Sequence, residues 1–80
     1  MILEIKIPEI DKDVEEYRVS FWLKENGSEI KKNEDLVEIE TDMDAYMIPA
    51  EEDGILEIVA EEGTFVKHDD VLYNIIIKEK

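Results

Sequence analysis

The 80-residue chain is predicted to be an all-β protein, a flattened barrel or sandwich of two antiparallel sheets. Three observations predict this fold: apolar residues alternate with polar ones, short strand-like segments follow one another without helical patterns between them, and the second half repeats the first. Neither half of such a repeat can bury its apolar side alone. We therefore expect one domain spanning residues 1–80, with two halves related by an approximate two-fold axis.

The first two predicted strands show the alternation most clearly. Their apolar positions, expected to face the core, are Leu3, Ile5 and Ile7 in the first strand and Tyr17, Val19, Phe21 and Leu23 in the second. The segment between them, Asp11–Glu16, is expected to be a loop. Either Phe21 or Trp22 must help to fill the core, because so small a chain has few large apolar side chains.

The remaining strands are expected where β-branched residues cluster between turn signals. They are Leu36–Thr41, Ala45–Ile48, Gly54–Ala60 and Val71–Ile77. The turn signals are Asn26-Gly27, Lys32-Asn33, Asp53-Gly54 and Glu62-Gly63.

The internal repeat aligns Val19–Glu40 with Ile55–Ile76 at a constant offset of 36 residues. Gly27 then falls on Gly63, and Val19 falls on Ile55. Both halves read as strand, glycine turn, short strand, polar turn and strand. We expect the two segments to superpose by rotation about one axis. The predicted core contains Val19, Leu23, Ile39, Ile58, Val66, Leu72 and Ile75.

Composition argues against several functional classes. The net charge of −14, from 23 acidic and 9 basic residues, would repel phosphate backbones and anionic lipid, so we expect no nucleic-acid or membrane partner. The chain has no cysteine, which removes disulfides and thiolate metal sites. No apolar run approaches the roughly 20 residues that span a bilayer, so a soluble, cytoplasmic protein is expected.

The sequence offers no catalytic or metal-binding pattern. His68 has no Ser or Cys nucleophile as a partner by pattern, and the acidic turns lack the residue spacing of a dedicated metal-binding loop.

One hairpin sequence carries a specific resemblance. The run Val37-Glu38-Ile39-Glu40-Thr41-Asp42-Met43-Asp44-Ala45, followed by Ile48-Pro49-Ala50, resembles the hairpin on which lipoyl domains of 2-oxoacid dehydrogenase complexes carry their cofactor. The segments 22–27 and 60–66 are similar to two further stretches of the same lipoyl/biotinyl-attachment domain family. The resemblance covers nearly the whole chain and implies that family's fold, the barrel-sandwich hybrid.

The resemblance places Met43 where the family has the lysine that is modified. A lysine amine forms an amide with a lipoyl or biotinyl acid, and a thioether cannot. The resemblance therefore implies no cofactor in this form, and a lipoyl group for a form with lysine at position 43. Aspartates at 42 and 44 resemble the lipoyl variant of the family. By the same resemblance, a lipoylating ligase and a 2-oxoacid decarboxylase component would meet Glu40, Thr41, Asp42, Asp44 and Ala45.

The family usually has glycine in the polar turns, where this chain has Asn33 and Asp69. These are the residue types that best tolerate positive φ, so we expect the turns to be preserved. The loop around Asp11–Asp13 also departs from the family pattern.

Met43 itself has three interpretations that the sequence leaves open: an indifferent residue of an exposed turn, a substitution in a chain whose parent carries lysine, or a natural contact for a partner. In each case we expect it at a hairpin tip, between strands that end near Thr41 and resume near Ala45. The favoured function is a non-catalytic lipoyl-type carrier domain of, or derived from, a 2-oxoacid dehydrogenase acyltransferase, unmodified in this form. The alternative is a stand-alone interaction or structural module that keeps only the fold.

Overall fold

A computed structural model describes residues 1–8 and 10–78 of the chain. Within them no helix is long and apolar enough to cross a membrane. The strands are β1 Ile2–Lys6, β2 Glu16–Trp22, β3 Glu29–Ile30, β4 Asp35–Glu40, β5 Ala45–Pro49, β6 Gly54–Ile58, β7 Phe65–Lys67 and β8 Val71–Ile76. They form two four-stranded antiparallel sheets, which confirms the predicted all-β fold.

The two sheets have the same construction. The terminal sheet has the order β1-β8-β6-β3, and the hairpin sheet has the order β5-β4-β2-β7. In the terminal sheet Ile2 pairs with Ile76, as Ala45 pairs with Glu40 in the hairpin sheet. In both sheets the register between the edge strand and its neighbour then shifts by one residue at corresponding positions. The shift lies between Ile5 and Lys6 in the terminal sheet and between Asp35 and Val37 in the hairpin sheet. This agreement of order and register is what the predicted two-fold repeat requires.

Between matched positions, strand β2 contains one residue more than its counterpart β6: Arg18–Trp22 corresponds to Ile55–Ile58. Val19 pairs with Ile39 and Phe21 pairs with Glu38, so that Ser20 is left without a partner in β4. The offset of 36 residues holds from Phe21 onward, but the register matches Val19 to Leu56. The predicted equivalence of Val19 and Ile55 is therefore wrong by one residue, because a β-bulge adds a residue to one strand only.

The bulge reverses which side chains of β2 face the core. Tyr17 and Val19 are buried, as predicted, but Phe21 lies on the outside and Trp22 packs against the core instead. The prediction that Leu23 belongs to the core is wrong, since 46% of that residue is exposed. Side chains alternate with a period of two, so one inserted residue moves all later positions to the opposite face.

The core lies between the two sheets. Five of the predicted core residues are buried, namely Val19, Ile39, Val66, Leu72 and Ile75. Ile58 is only partly buried, because it stands at the end of β6. The Trp22 ring meets the Tyr73 ring edge to face at a centroid distance of 5.9 Å, and its Nε1 donates to the Ala60 carbonyl at 2.9 Å. The two halves therefore share one core.

The turns repeat between the halves as well. Asn33 and Asp69 have φ angles of 73° and 81°, which confirms that both turns adopt the left-handed conformation. Two further hydrogen bonds join the halves at equivalent places: Ile58 N donates to Asn26 Oδ1 at 2.7 Å, and Trp22 N donates to Glu62 Oε2 at 2.9 Å.

Candidate functional site at the hairpin between the fourth and fifth strands

The hairpin between β4 and β5 ends in a tight turn at residues 41–44. Thr41 N donates to the Asp44 carbonyl at 2.8 Å, which closes the turn. The Thr41 hydroxyl oxygen accepts hydrogen bonds from Met43 N at 3.2 Å and Asp44 N at 3.1 Å. A threonine that binds backbone amides two and three residues ahead fixes the local conformation. The predicted tip, between Thr41 and Ala45, is confirmed.

Met43 is the outermost residue of this tip, with 90% of its surface exposed. Asp42 and Asp44 on either side are exposed as well. The backbone at Met43 is held by Thr41, while the side chain is almost fully exposed. A partner that approaches the tip therefore meets an exposed thioether between two carboxylates.

An ion pair lies next to the turn of the hairpin, and the sequence pattern did not predict it. Arg18 of β2 lies beside Glu40 of β4, and its Nη1 donates to Glu40 Oε1 at 2.6 Å. Both side chains are well exposed, so we assign the pair only about 0–1 kcal/mol of stability. Its main consequence is to orient Glu40 toward β2. Ala45 lies on the other side of Glu40, in β5.

Two tyrosines connect the hairpin and the neighbouring loop to the core. The rings of Tyr17 and Tyr46 meet edge to face with centroids 6.4 Å apart. Asp11 N donates to the Tyr17 hydroxyl at 3.2 Å, which holds the loop between β1 and β2 near the hairpin. Partial burial, and after it the Asp44 carboxylate, raise the pKa of the Tyr46 phenol.

An open groove of about 580 Å³ separates the tip from that loop. Its lining residues are Asp11, Val14, Glu16, Arg18, Glu40, Thr41, Asp42, Met43, Asp44 and Phe65. The structure therefore brings five of the predicted site residues together along one wall, and Ala45 lies just outside it. Arg18 is the basic residue of this lining, while exposed Phe65 and half-buried Val14 supply its apolar part.

The hairpin does not fit a covalently attached lipoyl or biotinyl group. Residues 40–45 offer carboxylates, one hydroxyl, one thioether and a methyl group, and none of these forms an amide with a carboxylic acid. Lys12 and Lys67 line a separate groove with His68, which is exposed. In the part of the chain that the structure describes, no cluster of acidic and histidine side chains is arranged to hold a metal ion.

Comparison with known proteins gives the class of the chain. The family model described as "Biotin-requiring enzyme", which covers biotin- and lipoyl-attachment domains, matches residues 3–75. The chain belongs to this family.

Within the family, the chain is similar to lipoyl domains. It superposes on the solution structure of the lipoyl domain of the 2-oxoglutarate dehydrogenase complex from Azotobacter vinelandii with a TM-score of 0.78 and 32% identity, covering 96% of this chain and 99% of that one. It is 38% identical over 73 residues to the dihydrolipoyllysine-residue succinyltransferase component of the 2-oxoglutarate dehydrogenase complex of Haemophilus influenzae, covering 90% of this chain. It is 39% identical over 71 residues to the same component of Escherichia coli K12, covering 88% of this chain. In both cases it spans 18% of the relative's length.

Proposed function

We propose that this chain is a lipoyl-type domain, of or derived from a 2-oxoacid dehydrogenase acyltransferase, that keeps the recognition surface of a carrier domain and lacks its cofactor arm. The observation that carries this proposal is Met43 at the exposed tip of a Thr41-fixed hairpin, at the position where the sequence resemblance expects the modified lysine. The succinyltransferase relatives support the class of parent protein.

The proposed action is docking without acyl transfer. A lipoyl domain delivers its cargo through a long arm, whose attachment needs an amine. Here the tip offers a thioether, and the groove beside it contains no pairing of a nucleophile with a base that could support catalysis by the domain itself. What is left is an acidic protein surface, which favours encounter with a basic site on a partner. The partners proposed are a lipoylating ligase and a 2-oxoacid decarboxylase component, in the cytoplasm.

Substituting Met43→Lys tests the proposal. The variant and the parent are each incubated with a lipoate ligase, lipoate and ATP, and their intact masses are measured. We expect the variant to gain one lipoyl group and the parent none. The substitution lies on the surface and should change the free energy of unfolding by less than about 0.5 kcal/mol.

Two control variants test whether lipoylation depends on where the amine lies and on its being an amine. Met47→Lys places an amine on the same hairpin, on the outer side of β5 rather than at the tip. Met43→Arg supplies the charge without an amine that forms the amide. Neither should gain mass. If folded Met43→Lys also gains none, the hairpin is not a lipoylation surface and the stand-alone module is favoured. A gain by the parent would mean that another lysine is the attachment site.

A further inference from the structure

The outer side of the hairpin sheet carries exposed apolar side chains on β2 and β5, on either side of the acidic residues of β4. Phe21 of β2 lies opposite Glu38 of β4, and Glu38 lies opposite Met47 of β5. Phe21 is 39% exposed and Met47 is 40% exposed. Leu23 and Pro49, two positions further along and also exposed, extend the same side. We call Phe21, Leu23, Met47 and Pro49 the apolar face.

The row of the terminal sheet that corresponds to Phe21, Glu38 and Met47 is polar. By register, the counterparts of Phe21, Glu38 and Met47 are Glu57, Asn74 and Glu4. There the central side chain has a hydrogen-bond partner, because Asn74 Nδ2 donates to Glu57 Oε1 at 2.8 Å. Outward-facing side chains of a two-sheet protein are normally polar, as they are in this row. The apolar face is therefore not a requirement of the fold, which builds the same sheet without it.

Glu38 stands at the centre of the apolar face without a counter-ion. Its side chain is half-buried, and it makes no hydrogen bond or ion pair within residues 1–8 and 10–78. The cation in the next row, Arg18, is already bonded to Glu40. Covering an unpaired carboxylate with an apolar surface is unfavourable unless the covering surface supplies a positive charge.

We propose that the apolar face docks a partner protein segment in which apolar side chains surround an arginine or lysine, whose cation pairs with Glu38. Clustered exposed apolar residues mark interaction sites on soluble proteins, and a complementary charge sets their specificity. A second copy of this chain is a poor occupant, because it would bring another Glu38 and a second net charge of −14 to the interface. The proposal does not depend on the lipoylation chemistry of the tip.

A pair of synthetic peptides tests the proposal. Both are short and rich in leucine and phenylalanine; one has arginine at its centre, and the other has glutamine there. Each is titrated into the ¹⁵N-labelled chain and followed by amide chemical shifts. We expect the arginine peptide to bind roughly tenfold more tightly than the glutamine peptide, with the shifts confined to β2, β4 and β5. Equal affinities, shifts on the terminal sheet, or no binding of either peptide would overturn the proposal.

Variants separate the charge from the apolar contact. Glu38→Gln should abolish the preference for arginine and leave the glutamine peptide's affinity nearly unchanged. Phe21→Ser combined with Met47→Ser should weaken both peptides roughly tenfold. Val59→Ser, at the counterpart of Leu23 in the other half, is the matched control and should change neither. If sedimentation shows a dimer of the parent that Phe21→Ser abolishes, the occupant is a second copy and the proposal is wrong.

Discussion

The hairpin end and the terminal end of the molecule have the same backbone frame and opposite surfaces. At the hairpin end Thr41 N donates to the Asp44 carbonyl at 2.8 Å, and at the terminal end Ile77 N donates to the Met1 carbonyl at 2.9 Å. The outer row beside the first bond is Ala45, Glu40 and Arg18, whereas the row beside the second is Ile2, Ile76 and Ile55.

The grooves at the two ends differ in the same way. The groove at the hairpin tip has an acidic lining with Arg18 as its basic residue. Its counterpart at the terminal end, of about 450 Å³, is lined by three isoleucines and by two lysines beside three acidic residues: Ile30, Ile55, Ile77, Lys31, Lys78, Glu29, Glu34 and Asp53. Inner side chains and turns are similar in both halves because one shared core constrains them. Outer residues are free of that constraint, so the function of each end depends on its surface rather than on the fold.

The largest expected effect tests how far the equivalence extends into the core. Leu36 and Leu72 are both fully buried and occupy corresponding bulge positions in the two edge pairings. We expect Leu36→Ala and Leu72→Ala each to cost roughly 2–5 kcal/mol of unfolding free energy, because each leaves a cavity. Urea denaturation of both variants measures this. A denaturant midpoint unchanged from the parent in either one would contradict the assigned core.

A smaller effect should distinguish the halves at Gly54, which stands where β2 has Tyr17. A Cβ at Gly54 would lie 2.5 Å from Ile75 Cγ2 and 2.6 Å from the Ile76 carbonyl oxygen. We expect Gly54→Ala to cost about 1–3 kcal/mol through overpacking. The control is Gly63→Ala, where no atom lies within 4 Å but φ is +86°. It should cost about 1–2 kcal/mol, all of it backbone strain.

A double-mutant cycle with Ile75→Ala, which removes the Cγ2 methyl next to Gly54, separates these two causes. Ile75→Ala should cost less unfolding free energy in Gly54→Ala than in the parent, and as much in Gly63→Ala as in the parent. An equal cost in all three backgrounds would show that the close approach at Gly54 is not the cause.

The larger part of the alkaline loss of stability should come from the terminal half, since the pKa of Tyr73 is raised to about 12. Tyr73 stands where the hairpin sheet has Val37, and burial raises the pKa of its phenol to about 12. An unfolded chain releases that proton near pH 10, so the unfolded state gains stability first as the pH rises. The contribution is complete below pH 10 and is lost between pH 10 and about 12. Tyr73→Phe should lose less stability than the parent over that interval, measured by urea denaturation; equal losses would contradict this.

Much of this fold followed from local residue types, and the errors in β2 have one cause. Asn33 and Asp69 were predicted correctly because positive φ is a property of the residue and its turn. Leu23 was predicted wrongly because a strict alternation was carried through Ser20, where the strand has a bulge. No local signal in the run Val19–Leu23 shows the extra residue, since a bulge is defined by the partner strand.

Part of the candidate site could likewise be predicted from the sequence, and part of it could not. Its tip was predictable, because the Glu40–Ala45 run is contiguous and its turn is closed by Thr41. The Arg18–Glu40 pair was not, because it joins residues that are 22 positions apart and depends on the register of β2 against β4. The apolar face was hidden for the same reason: only after the bulge do Phe21 and Leu23 lie on the outside with Met47.

The proposed recognition surface without an acceptor amine predicts that the parent chain is a competitive inhibitor of lipoylation. With Met43→Lys as the substrate of a lipoate ligase, added parent chain should slow lipoylation competitively, with an inhibition constant within about tenfold of the variant's KM. The two chains differ at a single exposed side chain, so most of the contact surface is common to both. A parent chain that also carries Asp42→Asn and Asp44→Asn should inhibit less. No inhibition by the folded parent at concentrations far above that KM would show that the hairpin lacks the recognition surface proposed for it.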